Sequence, residues 1–186
     1  MVDSTSLKLL ADGMLGRLAK WLRILGYDTV YDPHLDDNEL VRRARAEGRV
    51  LLTRDHELAE RPGVHSLLIE SGELLNQLGQ VRDRLGRAKG SPFSRCPVCN
   101  TPLVSLSPQE VKGHVPPFVL RSHSRFRRCP SCDKIYWPGS HWKRMREQIA
   151  RLEGWDQALK SDEGALQSQS SEADKENREG GASGLN

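Results

Sequence analysis

The first half of the chain alternates short apolar runs with helical repeats. Leu7–Ala11 predicts a buried strand that ends at Asp12. From Gly13 the apolar positions Met14, Leu15, Leu18, Leu22 and Leu25 recur at helical spacing, and Gly26 supplies the C-terminal stop. Thr29–Tyr31 predicts a second short strand. Asp36 stands three residues before Glu39, a capping-box-like start to a helix that carries Leu40, Val41 and Ala44 and ends at Gly48. Val50–Thr53 predicts a third strand with Asp55 just past it, and Val64–Ile69 a fourth. Leu74, Leu75, Leu78, Val81 and Leu85 mark a further amphipathic helix.

Strands that alternate with helices imply right-handed crossovers and a mainly parallel sheet flanked by helices, an α/β fold. Such sheets bind ligands at the carboxyl ends of their strands. Asp12 and Asp55 fall there directly, and Asp36 and Asp37 fall at a helix start on the same edge. Arg87–Ser94, with Gly90 and Pro92, reads as a linker. Beyond it, residues 95–150 show little apolar periodicity until Trp142–Leu152, which predicts a closing helix. From about Lys160 the chain is rich in Ser, Gln, Glu and Gly, the composition of a disordered segment. The expected organisation is therefore an α/β domain over 1–88, a small module over 95–152 and an acidic, disordered tail over 160–186.

Charge refines this picture. The net +3 of the 186 residues is unevenly spread. Residues 1–90 hold 14 basic and 14 acidic groups, whereas residues 121–160 hold 10 basic and 4 acidic. Residues 161–186 hold 2 basic and 6 acidic. A cationic block of this kind is the footprint expected for a phosphate backbone, although a well-solvated surface would look similar. No run of 18 apolar residues occurs, which excludes a membrane-spanning helix, and the N-terminus lacks the basic start and apolar core of a signal peptide. The expected compartment is the cytoplasm, without a membrane partner.

All four cysteines lie in two Cys-Pro-x-Cys units, Cys96-Pro97-Val98-Cys99 and Cys129-Pro130-Ser131-Cys132. Paired thiolates of this kind make the tetrahedral site that structural zinc prefers. The 29 intervening residues exceed the commonest spacing, but no cysteine is left over. Two redox pairs would need a thioredoxin-like context, and a disulfide scaffold conflicts with a cytosolic setting. With four thiolates the zinc has no open position and should not itself catalyse. His114, His123 and His141 are then surface or RNA-facing residues rather than ligands. Arg125, Arg127, Arg128, Lys143 and Arg144 are interleaved with Phe126, Tyr136, Trp137 and Trp142. Cations hold phosphates and aromatic faces stack unpaired bases, a mixture that suits single-stranded RNA. For Trp137 and Trp142, packing inside the ribbon is the competing role and the favoured one.

Asp12, Asp37 and Asp55 are distant in sequence but converge on one edge of the expected sheet. Clustered carboxylates repel one another, and a hard dication such as Mg²⁺ or Mn²⁺ relieves that repulsion. Each also has a duller reading, since Asp12 and Asp55 suit helix N-caps and Asp36 suits one best.

Three segments carry a resemblance. Ala11-Asp12-Gly13-Met14-Leu15-Gly16-Arg17-Leu18-Ala19-Lys20-Trp21-Leu22-Arg23, Glu47-Gly48-Arg49-Val50-Leu51-Leu52-Thr53-Arg54-Asp55 and Pro138-Gly139-Ser140-His141-Trp142 stand with the two cysteine pairs. Together they closely resemble, over roughly residues 8–146, the RNase domain named for the C terminus of Mut-seven-type exonucleases. The resemblance implies a PIN-like nuclease fused to a zinc ribbon, cutting single-stranded RNA with an acidic cluster that binds Mg²⁺ or Mn²⁺. It implies the acid after the first strand at Asp12, the acid after the third at Asp55, and the acid opening the second helix at Asp37 rather than Asp36. A fourth acid of the PIN pattern has only Glu70 as a candidate, and the surrounding residues match poorly.

The leading expectation is thus a metal-dependent ribonuclease whose ribbon assists RNA binding. The alternative is a module that grips RNA, a ribosome or tRNA without cutting. A phosphatase would also use clustered Asp, but it would usually need an Asp-x-Asp pair after the first strand, where Asp12 is followed by Gly13-Met14.

Overall fold

A computed structural model describes residues 7–151, so the acidic segment expected to be disordered lies outside the described residues. The chain divides into two compact units at Arg144/Met145. In the first unit, β1 (Lys8–Ala11), β2 (Asp28–Tyr31), β3 (Val50–Thr53) and β4 (Ser66–Leu68) form one parallel sheet of order β2-β1-β3-β4. The expected α/β sheet is present, with its first four strands where the apolar runs lie.

The helices follow from local signals. Asp12 accepts from Met14 N–H and opens a 3-10 turn, Gly13–Leu15, that runs into α1 (Gly16–Ile24). Asp36 and Glu39 form the reciprocal capping box that starts α2 (Asp37–Glu47), and Gly48 ends it in the left-handed conformation at φ 61°. A short helix, α3 (His56–Ala59), follows β3, and α4 (Leu74–Leu85) follows β4. Alternation along the strands splits the core. Leu10 and Leu51 pack with Leu40, Val41 and Ala44 of α2 and with Leu58 of α3. Leu9, Ala11 and Leu52 point to the other face and are fully buried, as are Leu18, Ala19 and Leu22 of α1.

The ribbon contains more structure than its apolar pattern suggests. β5 (Val104–Leu106), β6 (Phe126–Arg128) and β7 (Ile135–Tyr136) make a three-stranded antiparallel sheet, with α5 (Pro117–Ser122) between β5 and β6. Val111, Val115, Val119 and Phe126 form its own small core, with Leu106, Leu120, Ile135 and Trp137 packed against it. The four-residue spacing of the three valines is the sequence signal for this core, and it is a faint one. α6 (Ser140–Ala150) is the expected closing helix and begins two residues earlier than expected. Of the second unit, the described part is the C-terminal portion of α6, closed by Arg151 N–H donating to Gln148 O at 3.3 Å.

The segment expected as a linker is strapped down rather than loose. Phe93 N–H donates to Ile24 O at 2.6 Å, and Tyr27 OH to Gly86 O at 2.7 Å. The backbone here passes so close to the end of α1 that a side chain at Gly26 (φ 92°) would collide with the carbonyl oxygen of Gly90. Gly26→Ala is therefore expected to cost more than about 1 kcal/mol, from both the positive φ and the clash. The measurement is the urea midpoint, which should fall while the slope is unchanged. A midpoint equal to that of the unsubstituted chain would show that the strap does not press on α1.

Candidate active site and metal centre

The topology selects one point on the sheet. From β1 the chain crosses to β2 on one side and then to β3 on the other, so the winding direction reverses between β1 and β3. Ligand crevices of open α/β sheets lie outside the carboxyl ends of strands at such a reversal. Asp12 follows β1 and Asp55 lies two residues past the end of β3, so both flank this point.

Thr53, the last residue of β3, ties the two together. Its buried hydroxyl donates to Asp12 Oδ2 and accepts from Asp55 N–H at 3.0 Å. The remaining contacts of both acids are caps. Asp12 Oδ1 accepts from Met14 N–H at 2.6 Å, and Asp55 Oδ1 accepts from Leu58 N–H at 3.1 Å. Asp12 is only 5% exposed, whereas Asp55 is open to solvent. Each carboxylate oxygen has two lone pairs, so a single cap bond leaves acceptor capacity for a cation. Asp37 is the exposed first residue of α2, on the same edge beyond β2, and Asp36 beside it is committed to its capping box. Glu70 is exposed past β4, its N–H bound to Gln80 Oε1 at 3.2 Å. The three candidate acids share an edge but are not drawn into one cluster. Among the described residues, the four cysteines are the one group of His, Cys, Asp or Glu whose ligand atoms all lie within 4.8 Å of one another.

That thiol group is placed to bind one metal ion. Cys96 and Cys132 Sγ are 3.7 Å apart and Cys99 and Cys129 Sγ 3.2 Å. Four sulfurs tetrahedrally placed at a Zn–S distance near 2.3 Å would be separated by about 3.8 Å, so the donor set fits a zinc-sized ion. The two knuckles are built alike. In each, the residue after the second cysteine takes a left-handed conformation, Asn100 at φ 68° and Asp133 at φ 56°, and its N–H returns to the first cysteine's carbonyl at 3.0 and 2.9 Å. Burial alone would raise the Cys99 thiol, but hydrogen bonds from Thr101 and Cys129 outweigh it and lower its pKa to about 6. At Cys132 a backbone hydrogen bond from Lys134 favours the thiolate, yet burial and the neighbouring sulfurs prevail and push it up to about 12. Without a cation the Cys132 thiol resists ionising beside its neighbours.

The first knuckle is also bolted to the sheet. Arg23, 5% exposed on α1, donates Nε to Thr29 O at 2.8 Å and Nη1 to Val98 O at 2.7 Å and Pro97 O at 3.2 Å. Burial lowers its pKa, opposed by the Cys96 and Cys99 sulfurs and by Asp28. Asn100 accepts from Thr29 N–H at 3.0 Å and donates to Asp28 Oδ1 at 2.7 Å. Burial would raise the Asp28 pKa, but the Asn100 and Arg49 hydrogen bonds and the charges of Arg49 and Arg95 hold it below the ordinary carboxylate value. The outward backbone groups of Thr29, on an edge strand, are thus both satisfied by side chains. Arg23 and Thr53 fall inside the motif segments without any role being legible there, and Asn100 falls outside them, because their partners are distant in sequence or lie on the backbone.

The residues expected to touch RNA divide. Arg128, Lys143 and Arg144 are exposed, with Arg128 4.0 Å from Asp133, and Arg125 is half-buried. Arg127 is half-buried and donates to Phe93 O at 2.7 Å, which gives it a share in holding the strap. Trp142 stands 5.1 Å from Phe93, ring to ring, and Trp137 packs on the ribbon core, so both serve packing. None of His114, His123 and His141 joins the thiol group.

A family model described as the Mut7-C RNAse domain matches residues 7–149. The chain belongs to that family. Its match takes in the parallel sheet and the cysteine ribbon together. No curated protein and no solved structure gave a match.

Within this Mut7-C domain the Thr53 hydroxyl is the group to test. Thr53→Val preserves shape but leaves Asp12 Oδ2 and Asp55 N–H without their partner. It should cost about 1–3 kcal/mol. Chemical denaturation measures this, and a change near zero would mean that the hydroxyl does not join the two acids in solution.

Proposed function

We propose that this Mut7-C RNAse domain is a metal-dependent ribonuclease that cleaves phosphodiester bonds of single-stranded RNA at the carboxyl edge of its sheet. The observation that carries the proposal is the position of Asp12 and Asp55 at the winding reversal, joined through Thr53. Asp12, Asp37 and Asp55 are the residues that would hold Mg²⁺ or Mn²⁺, since hard carboxylate oxygens suit such ions. When bound, the metal lowers the pKa of its water and stabilises charge developing on the phosphate. Thr53 keeps Asp12 oriented toward the edge, and the caps hold the turns from which both acids project. Glu70 is the acid available from β4 on that edge.

Zinc is the metal proposed for Cys96, Cys99, Cys129 and Cys132, in a structural role, because all four positions are thiolates. The need to keep four thiols reduced suits the cytoplasm, and no helix among the described residues is long and apolar enough to cross a membrane. Arg125, Arg128, Lys143 and Arg144 are the ribbon cations proposed to assist RNA binding, and a tRNA or ribosome would present the same phosphate chemistry.

A non-catalytic RNA-binding module is the second reading. It draws on the fact that Asp12 and Asp55 both cap helical turns, which would by itself account for an Asp at each position. Single-turnover cleavage of a labelled, unstructured RNA at saturating protein with Mg²⁺ or Mn²⁺ separates the two. Asp55→Asn should lower the rate by orders of magnitude at near-unchanged stability, because Asn caps about as well as Asp but is a poor ligand for a hard cation. Asp12→Asn should lower the rate as far and also cost stability, because one amide oxygen cannot accept from both Met14 N–H and the Thr53 hydroxyl. Asp36→Asn, confined to the capping box, should cleave as the unsubstituted chain does. Full activity in both Asp12→Asn and Asp55→Asn would remove the nuclease reading in favour of the binding module.

A further inference from the structure

The charge profile directs attention to residues 121–160, yet a second cationic feature lies in the electrically neutral first half. An open groove of about 690 Å³ runs between α2 and the turn that leads into β4, lined by Asn38, Val41, Arg42, Arg45, Arg61 and Pro62. Arg45 and Arg61 have no ion-pair partner among the described residues, and Arg42 has only a weak one. Arg45 donates Nε to Gly63 O at 3.1 Å and Nη2 to Pro62 O, carbonyls that orient it without neutralising it. Gly63 makes this possible, since at φ 70° a side chain there would begin 3.2 Å from Arg45 Nη2. Arg42 is 72% exposed and only 3.7 Å from Glu39, a weak pair whose carboxylate already closes the capping box. Arg61 makes no side-chain hydrogen bond or ion pair with any described residue.

The direction of the groove is informative. Asn38 adjoins Asp37 at the start of α2, on the carboxyl edge of the sheet, and Arg45 lies seven residues further on, about 10 Å along the helix axis. Arg42 and Arg45 share a helix face at i,i+3 spacing. A planar guanidinium matches phosphate oxygens in a way that a neutral surface cannot. A groove that starts beside an acid of the candidate site and is lined by three arginines, one of them held by backbone carbonyls, fits an extended polyanion better than a small ligand.

We propose that this groove binds the sugar-phosphate backbone of an RNA strand whose neighbouring segment lies at the carboxylate edge. The proposal rests on the ribonuclease reading for where the strand leads, but not for the binding itself. The ribbon cations then provide a separate hold on RNA rather than the whole of it.

The test is binding of a short labelled oligouridylate to the full chain without added divalent cation, measured across a salt series. Arg42→Gln/Arg61→Gln should weaken binding several-fold at low salt. It should also flatten the plot of log K against log salt by about 1.4, since each single-strand phosphate that is no longer neutralised lowers the slope by about 0.7. Arg42→Lys/Arg61→Lys should largely restore the slope, because it keeps the charge. Unchanged affinity and slope in the Gln variant would overturn the proposal. So would weakened binding at unchanged slope, or a Lys variant as impaired as the Gln one. If the double Gln variant melts early, Arg61→Gln alone decides, with an expected slope change of about 0.7. An unsubstituted chain that binds through the groove but never cleaves would defeat the ribonuclease reading and leave the groove standing. Normal cleavage with an unaltered slope in the Gln variant would do the reverse.

Discussion

The interaction on which most of this structure depends is the burial of Arg23. A guanidinium 5% exposed must find acceptors for its donors or cost several kcal/mol, and it finds them in two places. One is Thr29 O on the edge strand; the others are Pro97 and Val98 carbonyls inside the first cysteine knuckle. Those knuckle carbonyls face Arg23 only while the backbone around Cys96–Cys99 keeps its turn, and that turn is what a metal ion on the thiols would fix. Asn100, held in a left-handed conformation by the same turn, meets the edge strand and Asp28. The knuckle is thus a third wall of the α/β domain as well as half of a metal site.

This arrangement puts the two sites at opposite ends of the sheet. Asp28, Thr29 and Arg49 belong to the starts of β2 and β3, whereas Asp12 and Asp55 follow the ends of β1 and β3. A strand of four residues spans about 13 Å, so the thiol centre cannot share a ligand with the acid edge. Its influence on any reaction there passes through the rigidity of the sheet. The strap from Gly86 to Phe93 reinforces the same seam, pinned by Tyr27, Ile24 O and Arg127.

Much of the sheet is legible in the residues, because its strands coincide with short apolar runs and α1 and α2 carry their own punctuation, whereas α3 and α5 are too short to show a helical repeat. Asp36 with Glu39, Gly48 and Gly26 are local signals, readable without tertiary context. The parallel sheet and the edge occupied by Asp12 and Asp55 follow from alternation alone. The thiol group is legible for a different reason, since two Cys-Pro-x-Cys pairs admit few other chemistries. What escapes is tertiary. Arg23 looks like any helical arginine until Pro97 and Val98 are brought to it, and Thr53 looks like the end of a strand until Asp12 turns back. The strap reads as a linker because Gly90 and Pro92 mark irregular backbone equally well when it is packed. Arg42, Arg45 and Arg61 are hidden by a neutral total charge, since a sum over a segment averages a basic groove with acids on other faces.

The dependence of the sheet on the knuckle can be measured by hydrogen exchange on the chain loaded with zinc and again after a strong chelator is added. If Arg23 and Asn100 couple the ribbon to the sheet, removal of the metal will release protection in the ribbon and also in β2 and the end of α1, with Thr29 N–H among the first sheet amides to exchange. Protection that falls in residues 95–137 alone, with β2 and α1 as slow as in the metal-loaded chain, would contradict that coupling and show two independently stable modules.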